Sequence, residues 1–225
     1  MIDSLLVPLR GVLDRIRVRP SVRQRLGYWA LGPEFRQWCQ THSCEAVEGR
    51  YDLYRVLMER EGLDGPIDYI EFGVSEGLSM RWWVENNHHP GATFVGFDTF
   101  EGLPEAWAGW PVGAFTAGGE APAIDDPRCR FVKGLFQETV PAWVVGRDFS
   151  RRTVLHLDAD LYTSTLLALT QLLPKLKPGS ILIFDDFCML LHEYRAFCDA
   201  TTAYRREFVP LCRSEGWANV GLKAL

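Results

Sequence analysis

Between residues 67 and 204 short apolar runs alternate with longer stretches of mixed polarity, and few folds accommodate that pattern. The runs are "IDYIEFGV" (67–74), "TFVGFD" (93–98), "RFVKG" (130–134), "TVLHLDAD" (153–160) and "SILIFDD" (180–186). A strand apolar on both faces belongs to a sheet covered on both sides, and such sheets are parallel with helical crossovers. The stretches 77–87, 136–145, 163–175 and 189–204 have the length for those helices. The tail "EFVPLCRSEGWANVGLKAL" reads as two strands around a Ser-Glu-Gly turn, which adds one antiparallel strand. Residues 101–127, rich in Gly, Pro and Ala, read as a long loop of the kind that forms a lid. Upstream, Tyr51, Leu53, Tyr54, Leu57 and Met58 mark the apolar face of a helix expected over 46–61, broken by Gly62, Gly65 and Pro66. The expected class is α/β.

At 225 residues the chain has the length of one domain, expected to span 1–225 with 1–45 as a helical extension. Leu5, Leu9, Val12, Leu13 and Ile16 recur at helical spacing, and Pro20 ends the helix they predict. Residues 1–25 carry a net charge of +4, which leaves −9 for the rest of a chain whose total is −5. An acidic body argues against a nucleic-acid partner. No apolar run approaches the roughly 20 residues of a membrane span. Asp3, Pro8 and Arg10 interrupt any secretory pattern, so a cytoplasmic protein is expected. The N-terminal apolar stripe needs a partner surface, and packing on the body or on a second subunit is expected ahead of an anionic membrane. A homo-oligomer follows from that expectation. The six Cys form no CxxC pair, which predicts free, mostly buried thiols.

Two motifs carry chemistry. In "EFGVSEGLS" (71–79), Glu71, Gly73 and Gly77 lie where a strand turns into a helix. Glycine there permits a sharp turn and close approach of a ligand to backbone. The spacing is E-x-G-x-x-x-G, which differs from the G-x-G-x-x-G of dinucleotide sites. Asp98 ends the next strand, where an acid can accept hydrogen bonds from ribose hydroxyls. The second motif is a set of acids at two strand ends, Asp158 and Asp160 in "LHLDADLYTST", and Asp185 and Asp186 in "ILIFDDF". In open α/β sheets ligands bind at that edge. Acids crowded together must hold protons or share a cation, and an oxygen-only donor set suits Mg²⁺ or Ca²⁺, or Mn²⁺. The structural alternative is that Asp160 and Asp186 cap the helices that follow them.

Taken in order, "GPIDYIEFGVSEGLS", "GFDTFEGLP", "HLDADLYTSTLLALTQLLPKLKPGS" and "ILIFDDF" resemble the macrocin O-methyltransferase (TylF-like) family of class I methyltransferases. The resemblance implies a seven-stranded Rossmann-like sheet with its last strand antiparallel. It implies S-adenosylmethionine (SAM) and Mg²⁺ or another divalent cation as cofactors. The acceptor it implies is a small-molecule hydroxyl, on a sugar or other natural product. Carried over by position, Asp158, Asp185 and Asp186 would be metal ligands and Asp160 the general base. Glu71, Gly73, Gly77, Ser79 and Asp98 would line the SAM site, with Phe136 at the adenine. Two departures are plain: Ala159 stands where the family has Gly, and "FCMLLHEYRAF" lacks the Gly-Cys-Arg pattern after the second acid pair.

Two other readings remain at this level. "DADLYT" also matches the D-x-D-x-T motif of haloacid-dehalogenase-like phosphatases, but that reading leaves residues 71–79 unexplained. The other is a SAM-binding protein without catalysis. His88 and His89 fall in a turn before Pro90, and His156 reads as a core residue. His192 lies six residues past Asp186, close enough in sequence to reach an acceptor. Trp107 and Trp110 read as lid residues able to stack on an acceptor.

Overall fold

The computed structural model describes residues 32–225. The N-terminal stripe, Pro20 and the subunit contact expected of them lie outside the described residues.

After a helix over 32–41 (α1) the chain runs β1 (Glu45–Val47), α2 (Arg50–Glu61), β2 (Ile67–Phe72), α3 (Leu78–Asn86), β3 (Thr93–Asp98) and β4 (Cys129–Lys133). It continues α4 (Phe136–Val144), β5 (Arg152–Leu157), α5 (Tyr162–Leu172), β6 (Ile181–Phe184), α6 (Glu193–Tyr204), β7 (Phe208–Ser214) and β8 (Val220–Ala224). All of these strands join one eight-stranded sheet, in the order β1-β7-β8-β6-β5-β2-β3-β4. β8 is antiparallel to both β6 and β7, and the other neighbouring pairs are parallel. The expected α/β sheet with its last strand antiparallel is present.

The eighth strand is the difference. β1 occupies the start of the stretch expected as helix and pairs with Cys212–Ser214. Three residues carry no periodicity, so the strand exists only because β7 offers it an edge. Gly49 is extended, and α2 begins one residue later. β5 also ends earlier than expected, at Leu157. Asp158 therefore lies just past the ladder, its N–H donating to Phe72 O at 2.9 Å.

Residues alternate between two apolar layers, as a pleated sheet covered on both faces requires. Ile70, Phe72, Leu155, Leu157, Leu182 and Phe184 pack against the layer containing α5 and α6. Ile67, Tyr69, Val154, Ile181 and Ile183 pack against the layer of α2 and α3. From β2 the chain winds outward through β3 and β4, then returns to β5 on the other side of β2. That reversal opens a crevice at the carboxyl ends of β2 and β5. No helix among the described residues is long and apolar enough to cross a membrane. The six Cys are free, but only Cys39 and Cys212 are buried; the other four are half-buried, against expectation, because they sit on helix flanks, loops and the sheet edge.

Candidate active site

A cavity of ≈ 370 Å³ fills the crevice, and its lining includes Glu71, Gly73, Ser79, Asp98 and Phe136 on one side and Asp158, Asp160, Asp185 and Asp186 on the other. Of the residues assigned from sequence to the cofactor, the metal and the base, only Gly77 is missing from its wall.

The glycine turn is held by Asp98. Its Oδ2 accepts the N–H groups of Val74 and Ser75 at 2.7 Å each, and its Oδ1 accepts that of Phe100 at 2.7 Å. A carboxylate has about four acceptor positions, so Asp98 retains capacity for a ligand. Gly73 has φ +87, and a side chain there would collide with the backbone carbonyl of Asp158. The missing Cβ lets the ends of β2 and β5 close on each other. Gly77 also has positive φ, but a Cβ would come within 2.6 Å of Pro122, so this glycine admits the 101–127 loop. Phe136 opens α4 and sets its ring edge-on to Phe72, with centroids 5.1 Å apart.

Glu71 is buried and accepts a hydrogen bond from Tyr69 Oη at 3.1 Å. Burial pushes its carboxyl well above the usual range. Tyr69 Oη also lies 2.7 Å from His156 Nδ1, and Tyr54 Oη lies 2.9 Å from Ser79 Oγ. His156 is thus a hydrogen-bonded core residue, and burial, then Arg50, pushes it down to about 3.

The acids do not form one undivided group. A carboxylate oxygen from each of Asp158, Asp160 and Asp186 lies within 4.8 Å of the other two. Asp185 belongs instead with Asp158 and a ring nitrogen of His156, in a second group of the same tightness. Asp185 Oδ1 accepts Asn219 Nδ2 at 2.6 Å, and its Oδ2 takes the Arg50 guanidinium at 2.5 Å. Arg50 also lies 3.6 Å from Asp158. Burial, reinforced by Asp186, pushes Asp160 up to about 8. Burial lifts Asp185 to about 6, against the pull of Arg50. Neither Asp160 nor Asp186 caps a helix, since the residues at the starts of α5 and α6 make no side-chain capping bond. The capping alternative is therefore removed. The donor set is hard oxygen at close quarters, and that chemistry fits a divalent cation.

Three residues here escaped the sequence analysis. Arg50 and Asn219 are 135 and 34 positions from Asp185, and nothing local marks either. Glu193 is fully buried, with Oε1 accepting Ala159 N at 3.2 Å and Oε2 accepting Asp186 N at 3.1 Å. One carboxylate so ties together the backbones of both acid-bearing strand ends. Glu193→Gln replaces one acceptor by a donor facing an N–H group. It is expected to cost about 1–3 kcal/mol in urea unfolding. An unchanged midpoint would show that the tie is not needed.

The 101–127 loop covers the cavity as expected of a lid, with Gly102, Leu103, Pro104, Trp107 and Phe115 in its lining. Glu105 anchors it by accepting Thr163 Oγ1 at 2.6 Å. Trp107 is buried beside Leu103, Leu161 and Met189, whereas Trp110 is exposed and stands over Phe115. His192 packs edge-on to Trp107, with centroids 6.2 Å apart. His88 and His89 are exposed.

Comparison with known proteins adds an independent observation. A family model described as macrocin-O-methyltransferase (TylF) matches residues 120–209. The 8-demethyl-8-(2,3-dimethoxy-alpha-L-rhamnosyl)-tetracenomycin-C 4'-O-methyltransferase of Streptomyces olivaceus is 31% identical over 173 residues. That match spans 65% of this chain and 65% of the relative, a little under two thirds of its length. The demethyldecarbamoylnovobiocin O-methyltransferase of Streptomyces niveus is 27% identical, over 74% of this chain and 72% of the relative. Among solved structures, the calicheamicin methyltransferase CalS11 superposes with a TM-score of 0.61 at 24% identity, covering 77% of this chain and 80% of that one. The O-methyltransferase NovP superposes with a TM-score of 0.57 at 23% identity, covering 75% and 76%. These two likenesses establish the class I methyltransferase fold.

Proposed function

We propose that this chain, similar over residues 120–209 to the macrocin O-methyltransferase (TylF-like) family of class I methyltransferases, is a member of it and transfers a methyl group from SAM to a hydroxyl of a small, sugar-bearing natural product, using a divalent cation. The observation that carries this reading is the single cavity that joins the glycine turn and Asp98 to the acid cluster. Glu71, Gly73, Ser79, Asp98 and Phe136 would hold the cofactor. Asp158 and Asp186 would hold the metal, with Asp185 completing the set. When bound, SAM supplies an activated methyl group and the cation supplies Lewis acidity toward the acceptor.

The residues of the chain do the rest. Asp160 faces the same cavity and would take the proton of the acceptor hydroxyl. In the metal-free protein burial keeps Asp160 protonated up to about 8, and a cation in the cavity would favour its ionised, proton-accepting form. Two adjacent hydroxyls offer a chelating pair, so a vicinal diol is the favoured acceptor. The loop over the cavity would exclude water and hold the acceptor in line, and alignment of this kind is worth up to roughly 7–11 kcal/mol in well-oriented reactions. A second subunit and a cytoplasmic setting belong to the same proposal. Incubation with SAM, Mg²⁺ and a panel of deoxysugar-bearing metabolites should give a product heavier by one methyl, detected by mass spectrometry. Cofactor binding without any methylated product across sugar and non-sugar diols would leave the non-catalytic reading in its place. Hydrolysis of phosphate esters without SAM binding would mean a phosphatase.

A further inference from the structure

Among the described residues lining the cavity, seven carry carboxylates (Glu71, Glu76, Asp98, Asp158, Asp160, Asp185 and Asp186) and one, Arg50, carries a positive charge. SAM brings to such a site a sulfonium, an ammonium and a carboxylate. The first two suit an acidic wall. The carboxylate is repelled by it unless a cation or a set of N–H donors receives it. Arg50 stands at the start of α2 with its side chain 38% exposed and its guanidinium directed at the acids. Its contacts are with Asp185 at 2.5 Å and Asp158 at 3.6 Å, two of the residues assigned above to the metal.

We infer that Arg50 receives the carboxylate of the cofactor's amino-acid end, and that Asp185 and Asp158 hold it in reserve until a divalent cation displaces it. This rests on the SAM-dependent reading above. A planar guanidinium binds a carboxylate through two parallel N–H donors, which an ammonium cannot reproduce. The same guanidinium cannot neutralise the acid pair and the cofactor in full at once. A dication drawn to Asp158 takes over the first task and repels Arg50 toward the second. Metal and cofactor then help each other bind, and by linkage the effect is equal in both directions. The acids, in turn, are never left unpaired in the metal-free protein, where an uncompensated buried charge would be costly.

The test uses full-length protein, calorimetric titration with S-adenosylhomocysteine (SAH), and Mn²⁺ titration followed by electron paramagnetic resonance. For the wild type, SAH should bind about tenfold more tightly with Mg²⁺ than with EDTA. Arg50→Met should weaken SAH by about 10–100-fold in Mg²⁺, the cost of charged hydrogen bonds. It should also abolish the metal dependence of SAH binding and tighten Mn²⁺ in the absence of SAH. Arg50→Lys keeps the charge without the fork, and should retain the metal dependence with weaker SAH binding. 5′-Methylthioadenosine, which lacks the amino-acid end, should bind all three proteins alike. Equal SAH affinity in the wild type, Arg50→Met and Arg50→Lys overturns the inference, as does a parallel loss of methylthioadenosine binding or a weaker Mn²⁺ site in Arg50→Met. A wild type that binds neither SAH nor methylthioadenosine removes this inference together with the function it rests on.

Discussion

Asp160→Asn is expected to slow methyl transfer by about 10²–10⁴-fold, the usual loss for a general base, with SAH affinity within about twofold of wild type. Asparagine keeps the size and polarity of the side chain and removes its ability to accept a proton. It also suits the backbone. Asp160 has φ +59, and Asn tolerates that left-handed conformation better than other non-glycine residues, so the substitution does not add strain as Ala would. The prediction bears on a division of labour that geometry leaves close. Asp160 shares a tight oxygen group with Asp158 and Asp186, whereas Asp185 is held by Arg50 and Asn219. If Asp160 is the base, Mg²⁺ affinity barely changes in the variant. If Mg²⁺ affinity falls in step with the rate, Asp160 is a metal ligand and the base lies elsewhere. A fully active variant would mean that the cation alone activates the hydroxyl.

Exhaustive EDTA treatment is expected to reduce turnover by at least about 10²-fold, since Lewis-acid assistance is worth several kcal/mol and each 1.36 kcal/mol is a factor of ten. Added Mg²⁺ should restore it. The acids make the metal site sensitive to pH. Burial and mutual repulsion hold Asp160 at about 8 and Asp185 at about 6, above the ordinary 3.8. A cation must displace those protons, so its binding should tighten as pH rises from about 6 to 8, with proton release measurable by calorimetry in two buffers. Stability of the metal-free protein moves the other way. In this window the native state binds more protons than the unfolded chain. The contribution of these acids is therefore fully present below 3.8 and is lost as pH rises through about 8. Mg²⁺ should recover it. Full activity after chelation would count against the metal, and metal binding without proton release near pH 7 would count against these acids as its site.

How much of this was visible in the chain itself follows from the range of each interaction. The doubly covered strands announced themselves because burial on both faces leaves a continuous apolar run, and a run is a local property. Each of these parallel strands places its terminal residues at the same sheet edge, so the sequence pattern alone assigns Glu71, Asp98, Asp158, Asp160, Asp185 and Asp186 to one crevice. Gly73 followed from the need for a tight turn at φ +87. Gly77, in the same turn, has φ +76 and lies against Pro122, outside the cavity lining. From residues 71–79 alone, the two reasons for a glycine look the same.

What could not be read in advance are contacts whose energy depends on a partner far away along the chain. β1 exists because β7 has an open edge. Arg50 is an ordinary residue at the start of a helix until folding sets it 2.5 Å from Asp185. Glu193 would pass for a solvated acid in a first helical turn, yet it is fully buried and satisfied by two backbone N–H groups from different strand ends. Charged side chains have no periodicity to betray such pairings, because what stabilises them is loss of water around a specific neighbour. Which acids share an oxygen group, and which one is claimed by a guanidinium, is settled by side-chain directions at two adjacent strand ends. Those directions follow from the turns after Leu157 and Phe184, where the ladder stops and local pattern no longer constrains the backbone.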